Sequence, residues 1–325
     1  MKQRMGAALA GLCVGLLAAT ALVPSAAQAS RPATLTIPGD NYYPESISAA
    51  ANGDLYVGSI TTGAVTRFKA GSTTAETFVA AGVNVGTAGV LVDDARRVLW
   101  TCNIDLSFQQ PTTLRAFSLR TGTQVADYVL PDGGVCADIT NVRGALFVTD
   151  TTNPTASPQL PGRILKFTTP SPVSAVGGSL TVWSSDPAFT AGPGLQINGI
   201  AFDGFATVYT TNYGSGQAIR VRIAPDGSAL PADLIATSRP LVNPDGIRML
   251  SPTRLLITEN PGRLSYVDVR TGAVVLITDA VDQPTSVVRV GRDFWVAEGQ
   301  VLRLQSGEAP HLPFTVRRVP VPAGV

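Results

Sequence analysis

A single histidine, His311, serves the whole 325-residue chain, and it lies in a proline-flanked segment, APHLPF, near the C-terminus. That scarcity excludes most imidazole chemistry. A Ser-His-Asp or Cys-His relay would have to be assembled on that tail, and a zinc site would have to manage almost without histidine. Cysteine is nearly as rare: Cys13 falls in the N-terminal apolar run, and Cys102 and Cys136 are not at metal-ligand spacing. Charged residues make up only 14% of the chain and nearly cancel, with a net charge of +1. Without a clustered basic face, no nucleic acid or other polyanionic partner is expected. No Gly-rich phosphate loop with a following Lys occurs, and no dinucleotide fingerprint opens a helix. Helical periodicity is nearly absent after the N-terminal run, while 32 Gly and 24 Pro are spread as punctuation, which argues for an all-β chain.

What is present begins with an export signal. Lys2 and Arg4 precede an apolar run over residues 5–23, and Ala27-Gln28-Ala29 offers a small-x-small cleavage site. Cleavage after Ala29 makes 1–29 a signal peptide and 30–325 a single mature domain, expected to be secreted, monomeric and free of the membrane. Removing Lys2 and Arg4 from the 24 basic residues leaves 22 against 23 acidic ones. In an oxidising compartment Cys102 and Cys136 are expected to form a disulfide.

The mature chain repeats itself. Residues 196–214, QINGIAFDGFATVYTTNYG, show a polar lead, a short apolar strand, a Gly turn and a second apolar strand. Aligned on Asn198, related units start at Glu45, Ala88, Asp138, Asp245 and Thr285. Lead-to-lead spacings of 43, 50, 60, 47 and 40 residues each suit one blade. The pattern predicts an all-β six-bladed β-propeller with four-stranded blades. Third strands are expected at AVTRF, TLRAFSL, RILKF, AIRVRI, RLSYVDV and, for the last unit, VLRL at 301–304. The fourth strand of that last blade stays open between TLTIP at 34–38 and FTVRRVPV at 314–321.

In such a ring the lead positions face one axis. Four of them carry oxygen ligands, Glu45, Asp138, Asn198 and Asp245. Three acids around one axis repel one another unless compensated, and a hard divalent cation such as calcium would resolve this. Taken singly, each Asx residue has another reading, opening its strand by bonding nearby backbone N–H groups. The ends of the second strands, with Asn103, Asp105, Asp150, Asn212, Glu259 and Asn260, face the same mouth. Asn103, Asp150 and Asn212, together with Asp138, are candidate contacts to a small-molecule substrate. Long connections starting at Cys102 and Thr151 gather around that mouth.

INGIAFDGFATVYTTNYG, PDGIRMLSPTRLLITEN and PESISAAANGDLYVG resemble blades of the senescence-marker, gluconolactonase and luciferin-regenerating family of six-bladed propellers, and more distantly strictosidine synthase and the paraoxonases. The likeness covers about residues 43–304 as a pattern of short motifs. It implies one divalent cation, usually calcium, held in the central channel by Glu45, Asn198 and Asp245, with the Asn-Gly and Asp-Gly steps kept as Asn198-Gly199 and Asp245-Gly246. It further implies that Asp245 is the catalytic base that activates water. Asp138 departs from the family, where gluconolactonase-like members commonly carry an Asn facing the substrate, and the paraoxonase histidine pair has no counterpart.

Two functions follow. One is a secreted calcium-dependent hydrolase of lactones or similar esters, with the ion on the carbonyl oxygen and Asp245 as base. The other is a non-catalytic ligand-binding or scaffold propeller with a structural ion.

Overall fold

The computed structural model describes residues 33–324 except positions 157 and 159. The expected signal peptide, 1–29, lies outside the described residues. Six four-stranded antiparallel sheets form a six-bladed β-propeller. The outermost strand of the last blade comes first in the chain, β1 (Thr34–Ile37). Blade 1 comprises β2 (Pro44–Ala49), β3 (Leu55–Ser59), β4 (Val65–Phe68) and β5 (Ala75–Val79); blade 2 comprises β6 (Gly86–Asp93), β7 (Val98–Ile104), β8 (Thr113–Ser118) and β9 (Gln124–Val129). Blade 3 comprises β10 (Val135–Val142), β11 (Ala145–Thr151), β12 (Arg163–Thr168) and β13 (Ser179–Ser184); blade 4 comprises β14 (Ile197–Phe202), β15 (Thr207–Asn212), β16 (Gln217–Arg222) and β17 (Asp233–Leu234). Blade 5 comprises β18 (Pro244–Ser251), β19 (Arg254–Glu259), β20 (Arg263–Asp268) and β21 (Val274–Thr278). Blade 6 is built from β22 (Pro284–Val290), β23 (Asp293–Glu298), β24 (Phe314–Pro320) and β1.

Both open candidates for closing the ring are therefore used. Residues 314–320 supply the third strand of blade 6 and 34–37 its fourth, with Leu35 opposite Val316 and Ile37 opposite Phe314. The expected third strand at VLRL is corrected: Val301–Ser306 is a helix, α1, ended by Gly307 in the left-handed conformation. Four residues are too few to separate the strand period from the helical one, and β24 already occupies the place beside β23.

Each blade packs between two others, so its second strand is buried on both faces. β7 is buried along its whole length, whereas the outer strand β13 is largely open to solvent. Between blades 2 and 3, Trp100 and Phe167 are fully buried and meet edge to face at 5.6 Å between ring centroids, a favoured aromatic geometry.

The inner strands share one irregularity. In every blade the pairing of first and second strands slips by one residue close to the strand start. Such a bulge bends the strand and re-aims the side chain on it. In β14 the pairing runs Ile197 with Asn212 and then Ile200 with Thr210, which puts Asn198 and Gly199 on the bulge. By the same register the first bulge position around the ring is Glu45, Ala88, Ala137, Asn198, Asp245 and Thr285. The second is Ser46, Gly89, Asp138, Gly199, Gly246 and Ser286. Glycine suits the second position because the next blade lies against it: a Cβ on Gly199 would stand 2.4 Å from the Asp245 carbonyl oxygen.

Candidate functional site

The bulges turn Glu45, Asn198 and Asp245 toward the axis, where two spaces meet. Toward the entrance is a cavity of about 470 Å³ with all three residues in its lining. Deeper in the channel is a void of about 10 Å³, lined by the same three with Asp138 and the serines Ser46 and Ser286. A void of that size holds about one water-sized sphere.

Asp245 is buried and its carboxylate is steered from two sides. Asn198 Nδ2 donates to one oxygen at 2.8 Å, and Asn260 Nδ2 to the other at 3.3 Å. Burial, then the nearby Asp138 charge, hold Asp245 well above the usual carboxylate range. Glu45 is pushed the same way by burial, by Asp245 and by Asp138, in that order, with Arg248 opposing. Ionising both acids together is therefore unfavourable in the protein alone.

The main chain behind these side chains is fixed by threonines on the second strands. Thr149 Oγ1 donates to the Asn198 carbonyl at 2.5 Å, Thr211 Oγ1 to the Asp245 carbonyl at 2.7 Å, and Thr258 Oγ1 to the Thr285 carbonyl at 3.0 Å. Each joins one blade to the lead residue of the next. In blade 2 the equivalent residue is Cys102, and there the link is covalent: Cys102 and Cys136 form a disulfide with their Cα atoms 5.3 Å apart. The expected bridge is present, and Cys136 lines the cavity.

The alignment of Asp138 with Asn198 is corrected by the register, which makes Ala137 the equivalent of Asn198 and places Asp138 one residue further on. A bulge adds a residue that a repeat pattern does not register. Asp138 Oδ2 accepts from the Ile200 amide of the next blade at 3.1 Å, as Ser46 Oγ does from Val90 at 3.1 Å. Arg248 donates to both Asp138 oxygens, at 2.7 and 3.3 Å. Arg248 is 110 residues away, and nothing in the sequence pointed to it.

Asn103, Asp150 and Asn212 are buried and occupied within their own blades. Asn103 Oδ1 accepts the Val85 amide, and Asp150 accepts the Val135 amide while paired with Arg163 at 2.7 Å. Asn212 donates to the Phe189 carbonyl and accepts from Ser215. Glu259 does the same for Val242 and carries Arg239. This ring of second-strand ends latches the segments entering the inner strands, and none of the four lines the cavity. Burial raises Asp150 above its ordinary range although Arg163 works against it. Asp105 lies on an exposed turn, where it accepts from Ser107, Gln109 and Gln110.

Tyr213 was not singled out from the sequence. It lines the cavity beside Asp245, and its buried hydroxyl lies against the Asn260 side chain. Burial and the Asp245 charge push the Tyr213 phenol upward, so it stays protonated at neutral pH.

Among the described residues no three His, Cys, Asp or Glu side chains come together at metal-binding spacing. The axial set is two carboxylates and one amide, all hard oxygen donors, around a void for one small species. That donor set fits calcium better than a softer metal.

No known family profile and no curated protein matches the sequence. The fold is similar to those of solved propellers. A calcium-binding protein, regucalcin, from Agrobacterium tumefaciens superposes with a TM-score of 0.62 at 14% identity, over 89% of this chain and 94% of that one. An aldose sugar dehydrogenase from Streptomyces coelicolor in its PQQ-bound form gives 0.58 at 13% identity, over 89% and 99%. Catalytically inactive virginiamycin B lyase from Staphylococcus aureus, with quinupristin, gives 0.56 at 12% identity, over 90% and 88%. At such identities the likeness is one of fold. The protein is a six-bladed propeller with an acidic axial site.

Proposed function

We propose that the protein is an exported, monomeric hydrolase of lactones or related esters, gluconolactonase-like and dependent on a divalent cation held by Glu45, Asn198 and Asp245. One observation carries this reading: two acids from different blades converge with an amide at the base of an open cavity, and the arginine in the channel is spent on Asp138 instead. A bound calcium ion would compensate the two carboxylates and polarise a substrate carbonyl. Asp245, oriented by Asn198 and Asn260, takes the proton of the attacking water. Tyr213, at the cavity wall beside Asp245, donates its hydroxyl hydrogen to a substrate oxygen.

The test is Asp245→Ala in calcium, assayed against a lactone and ester panel. The expected outcome is a folded protein whose turnover falls at least about 100-fold, the lower range for general-base loss. A second reading has its own support, since both Asp245 oxygens already have amide partners, as in a structural ion site. Calcium-dependent melting of the wild type with no turnover on any lactone or ester would establish that scaffold role and overturn the hydrolase.

A further inference from the structure

The cavity above the axial site has a composition of its own. Its wall is made by Ile60 after β3, Ile104, Leu106 and Phe108 at the end of β7 and the turn beyond it, and Val301 and Leu304 of α1. Away from the three axial residues, the side chains able to hydrogen-bond are few: Thr151, Tyr213 and Gln305. Leu106 is 46% exposed at the rim.

This wall is held in place by polar groups behind it. The turn bearing Leu106 and Phe108 folds over Asp105, which accepts the amides of Ser107, Gln109 and Gln110 at 2.9 to 3.0 Å. On the other side, Gln283 Oε1 accepts the Leu302 amide at 3.1 Å, and the Gln300 amide side chain bonds both ways to His311. Two separately anchored segments thus present apolar side chains to one space whose volume lies in the range of about 300–1,000 Å³ usual for small-molecule sites.

We infer that the site takes a substrate with one oxygen-bearing head and an apolar body, an alkyl- or aryl-substituted lactone or ester, and that α1 and the turn after β7 select it. The inference rests on the hydrolase reading for the position of the head. A polyhydroxylated sugar lactone would bury hydroxyls against aliphatic side chains without partners, which is unfavourable for each. An alkyl body gains about fourfold in affinity for every methylene taken from water.

The test uses compounds that cannot be hydrolysed. Wild-type mature protein with calcium is titrated calorimetrically with 2-alkylcyclopentanones, ketone counterparts of alkyl lactones, from methyl to octyl, and with gluconolactam. The expected result is affinity rising about fourfold per methylene until the cavity fills, with gluconolactam weaker than every long-chain ketone. Leu304→Ser should reduce that slope. Leu106→Ser, at an exposed position that folding tolerates, should do so even where Leu304→Ser fails to fold. A flat series, or gluconolactam bound more tightly than the octyl ketone, overturns the inference. Turnover separates the two claims. A steep binding series with no hydrolysis of matching lactones overturns the hydrolase and leaves the pocket's preference standing. Hydrolysis of gluconolactone with a flat series does the reverse.

Discussion

A threonine hydroxyl opposite each of three bulges carries more of the site than its small size indicates. Thr211 Oγ1 holds the Asp245 carbonyl, and Thr211→Val keeps the shape while leaving that buried acceptor unpaired. The expected loss is about 1–3 kcal/mol, read as a lower urea midpoint; an unchanged midpoint would show that the bond contributes nothing. Asp138 is the second case. Its carboxylate and Arg248 are mostly buried, with side-chain exposures of 9% and 20%. Asp138→Asn leaves the guanidinium without its counter-charge, and a loss of about 3 kcal/mol is expected. A double-mutant cycle with Arg248→Met measures the coupling directly, and additivity of the two changes would deny it. Glu45, Asn198 and Asp245 were legible in the sequence because each is a polar residue opening an apolar strand in a repeated unit. Asp138 was legible as an acid near the axis but was placed one residue out, because the bulge is a property of pairing. Arg248 was not legible, since only the ring lets a side chain of blade 5 reach past blade 4 to Asp138 of blade 3.

At the level of strands and links, the six inner strands and their partners followed from alternation and turn residues. The one failure was the VLRL segment, whose four residues fit a helix as readily as a strand and were decided by what else lay beside β23. The disulfide takes the place of a threonine link, and this gives an ordered expectation. Cys102→Thr with Cys136→Ala should be more stable than Cys102→Ala with Cys136→Ala by about 1 kcal/mol, the worth of a hydroxyl bond to the Ala137 carbonyl. Equal melting temperatures would show that threonine does not recover the link. Glu259, at the end of β19, gives the pH dependence. Burial alone would raise its pKa, but Arg239, the Val242 amide and Ser265 outweigh this and hold the carboxyl below its ordinary range. Its stabilising contribution is present above the ordinary glutamate pKa of about 4.3 and is lost as pH falls through that value and below. Glu259→Gln should therefore melt lower than wild type at pH 7, with the gap closing toward pH 3.5; parallel melting curves across that range would exclude the contribution.

For the whole molecule, the ring is closed by four residues at the front of the chain. Leu35 and Ile37 are buried to within 2% and 1% exposure, and removing residues 30–38 deletes both and leaves the edge of β24, with Phe314 and Val316, uncovered. Each buried aliphatic side chain is worth about 1.5–3 kcal/mol, so the truncated chain should melt well below the full one and aggregate through its free edge. Light scattering during a thermal ramp reads both effects, and a truncated chain that melts with the full-length protein would show that β1 is dispensable. The pairing of Thr34 with Arg317 has another consequence. As the chain emerges in synthesis its first strand has no partner until the last one arrives, and contacts so distant in sequence form slowly. A chain arrested anywhere before Phe314 keeps Leu35 and Ile37 in water. The propeller thus couples its own closure to the delivery of β24, and an incomplete chain stays open to the proteases around it.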